Sequence, residues 1–194
     1  MYLVSPLGPP ERKVAEISRT AEIDWPRGLA WTPDGKWLIV IDRNSDSEPL
    51  GLFLVSVESG ERRRLTSAKE KVVIDSQPAF SPDGRTLVFV REVAIGIRDI
   101  YLLSLSRDIQ QIGEPKRLTF ENRLTFSPVW NLDGQEIIFS SGPYLGPNLF
   151  RIATSGSGKP QRLASVGWLR AGDLSSRAPP GLHTRSHRHE HLAP

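Results

Sequence analysis

Cysteine is absent from this sequence, which excludes a disulfide framework, a thiol nucleophile and a thiolate metal site and leaves the redox compartment open. Long apolar runs are absent as well. The longest, such as Trp37-Leu38-Ile39-Val40-Ile41, fall far short of the roughly 20 residues that span a bilayer, so no membrane span is expected in this chain. The opening residues lack a charged start followed by an apolar stretch, and the chain reads as soluble and unsignalled. Neither sign of charge is in excess: 25 basic and 22 acidic side chains give a formal net charge of +3. Their interspersion argues against nucleic acid as a partner of this segment. Histidine is missing before His183 and no Gly-x-Ser-x-Gly string occurs, so the body of the chain lacks both the base and the nucleophile elbow of a serine hydrolase. The expectation is a protein that is not an enzyme.

What is present is ordinary globular material. The 194 residues are 38% hydrophobic, enough for one domain with a sizeable core. Sixteen glycines and sixteen prolines punctuate the chain too often for long helices and favour many short strands.

A repeat organises them. Trp31-Thr32-Pro33-Asp34-Gly35, Phe80-Ser81-Pro82-Asp83-Gly84 and Trp130-Asn131-Leu132-Asp133-Gly134 each carry an aromatic followed by Asp-Gly, with Asp34, Asp83 and Asp133 spaced 49 and 50 residues apart. After each turn come the apolar runs 37–41, 87–90 and 137–139, a polar loop, a second apolar run (51–55, 99–103, 148–152), and a basic-then-apolar close: Arg63-Arg64-Leu65-Thr66, Lys116-Arg117-Leu118-Thr119 and Gln161-Arg162-Leu163-Ala164. Proline presets φ near −65°, aspartate bonds its own backbone, and glycine accepts the positive φ that closes the reversal, so Pro-Asp-Gly joins two antiparallel strands. Apolar runs with little alternation are expected where both faces of a small sheet are covered. Radial stacking of such sheets gives an all-β fold, a partial β-propeller of about four blades of four antiparallel strands, with Trp31, Phe80 and Trp130 filling the spaces between blades. A β-sandwich of some twelve strands is the structural alternative, although its strands need not repeat at this period.

The expected organisation is a third and fourth strand of an incomplete blade at 1–19, complete blades at 26–67, 76–120 and 126–165, and a degenerate or disordered tail at 166–194. The structural turns rest on Pro33, Asp34, Gly35, Pro82, Asp83, Gly84, Asp133 and Gly134.

At these residues the sequence resembles the TolB-like β-propeller family, whose blades carry an aromatic-Ser-Pro-Asp-Gly turn, a run like Leu87-Val88-Phe89-Val90, a strand like Ile100-Tyr101-Leu102 and a final Arg-Leu-Thr. The likeness covers roughly residues 1 to 165. Tyr2-Leu3-Val4-Ser5 and Pro10-Glu11-Arg12-Lys13 are similar to propeller regions attached to bacterial winged-helix regulators and Ser/Thr kinases, where the propeller is a sensing or partner-binding module. The same repeat occurs in the non-catalytic propellers of prolyl-oligopeptidase-type peptidases. The resemblance implies a periplasmic setting, with the cytoplasm as the alternative. It departs at Leu132, which stands where the turn proline belongs, and after about residue 165.

Four constellations invite a chemical reading. Gly156-Ser157-Gly158-Lys159 looks like part of a P-loop, but Ala153 stands where the pattern needs glycine and Pro160 where it needs a helix; a hairpin connection is expected. Asp42, Asn44, Asp46 and Glu48 offer oxygens at alternate positions, and the expected role is a solvated loop at one end of the ring in which Asp42, Asp46 and Glu48 face a partner. His187, His189 and His191 alternate as metal ligands could, in a tail with nothing to hold it. Arg62-Arg63-Arg64 is expected on an outer strand, where charge discourages sheet-to-sheet aggregation. No cofactor, metal or catalytic residue is assigned.

The functional expectation is a module that binds a protein partner or small ligand at the propeller end, as the sensor or interaction part of a larger bacterial protein. The alternatives are an accessory propeller of a prolyl-oligopeptidase-type peptidase without its catalytic domain, and a non-functional truncated fragment. Open blade faces imply self-association.

Overall fold

The computed structural model describes residues 1–5, 8–17, 28–66, 74–143 and 146–163. The expected tail at 166–194, with all four histidines, lies outside the described residues.

Three four-stranded antiparallel meanders follow one another, each ordered in space as in sequence. Blade I contains β3 (Ala30–Trp31), β4 (Trp37–Asp42), β5 (Gly51–Ser56) and β6 (Arg62–Arg64). Blade II contains β7 (Ile74–Phe80), β8 (Thr86–Ala94), β9 (Ile97–Leu105) and β10 (Gln111–Arg117). Blade III contains β11 (Thr125–Trp130), β12 (Glu136–Ser141), β13 (Asn148–Ala153) and β14 (Gln161–Arg162). Ahead of them β1 (Tyr2–Ser5) and β2 (Gly8–Lys13) pair as a two-stranded sheet. No helix occurs among the described residues.

The Asp-Gly turns close these meanders by one repeated hydrogen-bond set. In the first, the Gly35 amide donates to the Thr32 carbonyl (2.9 Å), the Lys36 amide to Asp34 Oδ1 (3.0 Å) and the Trp37 amide to Thr32 Oγ1 (3.0 Å). Ser81, Asp83, Gly84 and Arg85 repeat it, as do Asn131, Asp133, Gly134 and Gln135 without proline. Gly35, Gly84 and Gly134 have φ near +70° (69°, 70° and 71°), the left-handed region that glycine enters without steric cost. Leu132 therefore leaves the turn intact.

The apolar runs face two ways, because alternate side chains of a strand point to opposite sides. From blade I, Ile39, Ile41, Leu52 and Leu54 pack on Leu87, Phe89 and Leu103 of blade II. From blade II, Val88, Val90, Ile100 and Leu102 pack on Ile137, Phe139 and Ile152 of blade III. Leu38, Val40, Phe53 and Val55 meet Met1, Leu3 and Val14 of the half-blade. Each fully buried side chain of this kind contributes on the order of 1.5–3 kcal/mol relative to exposure, so the interfaces between sheets hold the core.

Blade III departs at two positions. Ser140 and Arg151 stand where blades I and II carry Ile41/Val90 and Leu54/Leu102, and its second broad face is correspondingly more polar.

Trp31, Phe80 and Trp130 occupy equivalent places, paired with Leu38, Leu87 and Ile137. Phe80 and Trp130 fill inter-blade space as expected, and the Trp130 indole donates to the Ala79 carbonyl of the preceding blade (3.0 Å). Trp31 does not: it is 46% exposed. Its neighbour is the half-blade, whose two described strands correspond to the outer pair of a blade, and among the described residues the inner strand that shelters Trp130 has no counterpart there.

Candidate functional site

A meander places its connections alternately at two ends. The Asp-Gly turns and the β5–β6, β9–β10 and β13–β14 loops share one end. The β4–β5 and β8–β9 loops and the link from blade II to blade III share the other.

At that second end, carboxylates and guanidinium groups recur in tight pairs. In blade I, buried Asp42 pairs with Arg62 and accepts from the Arg43 amide (2.8 Å); Arg43 pairs with Asp46 (2.5 Å); Arg64 pairs with Glu48 (2.5 Å). The loop that suggested a cation or partner site thus holds each acid against an arginine. Asp42 is enclosed, Glu48 is partly covered, and Asp46 alone of the three projects, its side chain 93% exposed. Among the described residues no group of three or more His, Cys, Asp or Glu side chains is arranged to hold a metal ion.

Blade II uses the same chemistry at other positions. Arg91 forks onto buried Asp75, Nε to Oδ1 at 2.6 Å and Nη2 to Oδ2 at 2.9 Å. Asp99 accepts from Arg117 (2.6 Å) and from the Thr119 hydroxyl (2.9 Å), and Arg98 pairs with Glu92 (2.9 Å). In blade III, Arg162 donates to Asn148 (2.5 Å). A buried carboxylate with a bidentate arginine is compensated, whereas either group alone would be costly.

The arginine triplet is likewise engaged with neighbouring groups. Arg62 and Arg64 stack on Phe53 (5.1 and 5.3 Å), and Arg63 stacks on Trp37 (5.2 Å) while donating to the Asp108 carbonyl of blade II (2.7 Å). The triplet lies on the outer strand as expected, with Arg62 and Arg64 paired inside blade I and Arg63 reaching blade II. Sequence spacing located the strand but could not identify its neighbours. The 156–159 segment is the β13–β14 connection, in keeping with the hairpin reading.

With these charges paired, apolar groups remain uncovered at the loop end. The β8–β9 hairpin carries Ile95 at its tip, 88% exposed, and the link from blade II to blade III carries Phe120, 64% exposed. Both are tethered. The Arg98 amide donates to the Arg123 carbonyl (3.1 Å), Arg98 stacks on Phe126 (5.6 Å), and Arg117 stacks on Phe120 (4.8 Å). Apolar tips flanked by held arginines are the residue types that anchor protein interfaces. Sequence reading had passed over Ile95 and Phe120, because the signal, a second hairpin longer than its counterparts, shows only once the repeats are paired strand by strand.

The turn end offers a groove of about 410 Å³ between blades II and III, lined by Asp83, Glu114, Lys116, Trp130, Asp133 and Thr154 among others. Its polar groups are partly engaged: Asp83 accepts from the Ser81 hydroxyl (2.6 Å), and Lys116 donates to the Ser155 carbonyl (3.3 Å).

No protein-family model matches the sequence. Among curated proteins, the uncharacterized peptidase YuxL of Bacillus subtilis is 46% identical over 63 residues, which are 32% of this chain and 8% of that protein. Among solved structures, TolB from Acinetobacter baumannii superposes with a TM-score of 0.61 at 25% identity, covering 86% of this chain and 37% of that one. A Mycobacterium tuberculosis puromycin-hydrolyzing peptidase superposes with a TM-score of 0.63 at 14% identity, covering 85% of this chain and 27% of that one. The chain spans well under half the length of each. The fold is a TolB-like β-propeller, represented among the described residues by three blades and a half-blade.

Proposed function

We propose that this propeller is a non-catalytic binding module that docks a protein partner on the loop end of blades II and III, as the interaction part of a larger bacterial protein. The observation that carries the reading is the pair of uncovered apolar side chains, Ile95 and Phe120, beside arginines that are paired within the fold, Arg98 with Glu92 and Arg117 with Asp99. A partner there gains apolar burial against Ile95 and Phe120, with exposed Glu121 and Arg123 of the same link available as polar contacts at the rim. The body of the chain contains neither histidine nor cysteine, which supports recognition rather than catalysis. The test compares proteins crosslinked to the wild-type chain in its native cells with those crosslinked to the Ile95→Asp/Phe120→Ser double variant. A partner retained equally by both excludes this surface.

A second reading rests on the YuxL segment and the peptidase structure: an accessory propeller that filters substrates for a hydrolase domain. Loss of peptide hydrolysis, or of its substrate size limit, when this propeller is removed from a polypeptide that also carries a hydrolase domain would distinguish it from the partner-docking module.

A further inference from the structure

Three turns of one chain repeat the same Asp-Gly pair and differ in how firmly they hold it. Asp34, Asp83 and Asp133 are all exposed, so access to solvent does not separate them. Their partners do. Asp34 Oδ1 accepts from the Thr32 hydroxyl (2.6 Å) and the Lys36 amide (3.0 Å), and Asp83 Oδ1 from the Ser81 hydroxyl (2.6 Å) and the Arg85 amide (3.0 Å). Asp133 Oδ1 has the Gln135 amide (2.8 Å) and, among the described residues, no side-chain donor. Asn131 stands where the hydroxyls stand, and its own Oδ1 accepts from the Glu136 amide (3.0 Å).

The backbone differs in the same sense. The Gly35 and Gly84 amides donate to the Thr32 and Ser81 carbonyls at 2.9 Å, whereas the Gly134 amide donates to the Asn131 carbonyl at 3.2 Å. Pro33 and Pro82 fix φ of the residue before the aspartate, and Leu132 does not. All three differences lie inside the turn itself. They bear on a reaction to which Asp-Gly is prone, because glycine has no side chain to shield its nitrogen from the preceding carboxyl.

We infer that Asp133-Gly134 is a site of spontaneous isoaspartate formation, and that the hydroxyl and proline of the other two turns suppress the same reaction at Asp34 and Asp83. The Gly134 nitrogen, giving up its proton, attacks Asp133 Cγ; an N–Cγ bond forms, a Cγ–O bond breaks, and water leaves a five-membered cyclic imide. Water then opens the ring. Opening at the side-chain carbonyl restores aspartate, and opening at the main-chain carbonyl leaves the chain running through the side chain with the α-carboxylate free. The main chain is thereby longer by one methylene between β11 and β12, where Gly134 lies against Pro82 of blade II. The lesion strikes the junction of blades II and III.

The full 194-residue chain is held at neutral pH and physiological temperature and then cut with trypsin, which puts the three turns in separate peptides, 28–36, 72–85 and 124–151. Electron-transfer fragmentation locates isoaspartate in each. Because the reactive geometry is reached by local opening, the yield at Asp133 is expected to exceed that at Asp34 and Asp83 by about threefold or more. In chain unfolded by urea the three yields should draw together. The Asn131→Ser/Leu132→Pro double variant supplies the hydroxyl and the ring, and should bring Asp133 down to the level of the other two with an unchanged circular dichroism spectrum. Equal yields in the folded chain, an Asp133 excess that persists undiminished in urea, or an undiminished Asp133 yield in the folded double variant overturns the inference. Should the double variant not fold, the wild-type chain compared with and without urea decides by itself.

Discussion

The Arg63 guanidinium reaches out of blade I to the Asp108 carbonyl oxygen in the β9–β10 loop of blade II, 2.7 Å away. Arg12 makes the equivalent reach from the half-blade to the Val57 carbonyl of blade I (2.5 Å), and Lys116 that from blade II to the Ser155 carbonyl of blade III (3.3 Å). A basic residue on the outermost strand thus fastens each sheet to the loop of the next. The apolar faces supply most of the attraction between blades without directionality; this polar contact fixes how far one blade is slid along its neighbour.

Arg63→Ala should therefore destabilise the protein by about 1–3 kcal/mol, since it removes a charged hydrogen bond and a stacking contact on Trp37 together. Arg63→Lys, which keeps charge but loses the planar fork, should recover only part of that. Equilibrium urea unfolding of the three proteins measures both. Unfolding midpoints that coincide would assign the cohesion of blades I and II to apolar packing alone.

This clasp marks the boundary between what the sequence revealed and what it did not. The turns at Asp34, Asp83 and Asp133 were legible because proline, aspartate and glycine act on their own backbone within a few residues. The strands were legible because the apolar runs recur with the turns. The destination of Arg63 depends on which loop of another sheet lies beside it, about 45 residues further along the chain, and no local pattern encodes that. The same limit governs Asp42, which as part of an acidic loop looked available and is enclosed against Arg62, and Trp31, whose exposure depends on strands of a neighbouring sheet. At the loop end, the acidic residues were visible as residues but their pairing was not, and Ile95 and Phe120 carry meaning only after that pairing is known.

Leu132 supplies a second test. It stands at the place of Pro33 and Pro82 and is 99% exposed, and the hydrogen bonds of its turn run from the Asn131, Gly134, Gln135 and Glu136 amides, so its own N–H is not among them. Leu132→Pro should stabilise the fold by roughly 0.4–1 kcal/mol, chiefly by restricting the unfolded chain. Thermal unfolding followed by circular dichroism checks the sign. A lower midpoint would mean that the third turn differs from the other two in backbone angle despite sharing their hydrogen bonds.

Acid sensitivity follows from the turn aspartates. The Thr32 hydroxyl and then the Lys36 amide hold the Asp34 carboxyl below its ordinary value of 3.8, and the Ser81 hydroxyl and then the Arg85 amide do the same for Asp83. A carboxyl whose folded pKa is depressed binds protons less readily folded than unfolded. Its contribution to stability is complete above 3.8 and is lost as pH falls through that value toward the folded pKa. Both side chains are largely exposed, so solvent screens the effect and the loss per turn is small. Thr32→Val removes the first donor to Asp34 and leaves Asp83 untouched. Carboxyl carbon chemical shifts followed by NMR from pH 6 to about 2 should therefore show the Asp34 midpoint rising toward 3.8 while that of Asp83 stays in place. Unfolding measured across the same range should show a shallower decline with acid in the variant than in the parent. If the Asp34 midpoint stays where it was, the backbone amide rather than the hydroxyl holds the carboxylate, and the choice between Thr32, Ser81 and Asn131 at this position of the repeat is then a matter of closing the turn through the amide two residues beyond Gly35, Gly84 and Gly134.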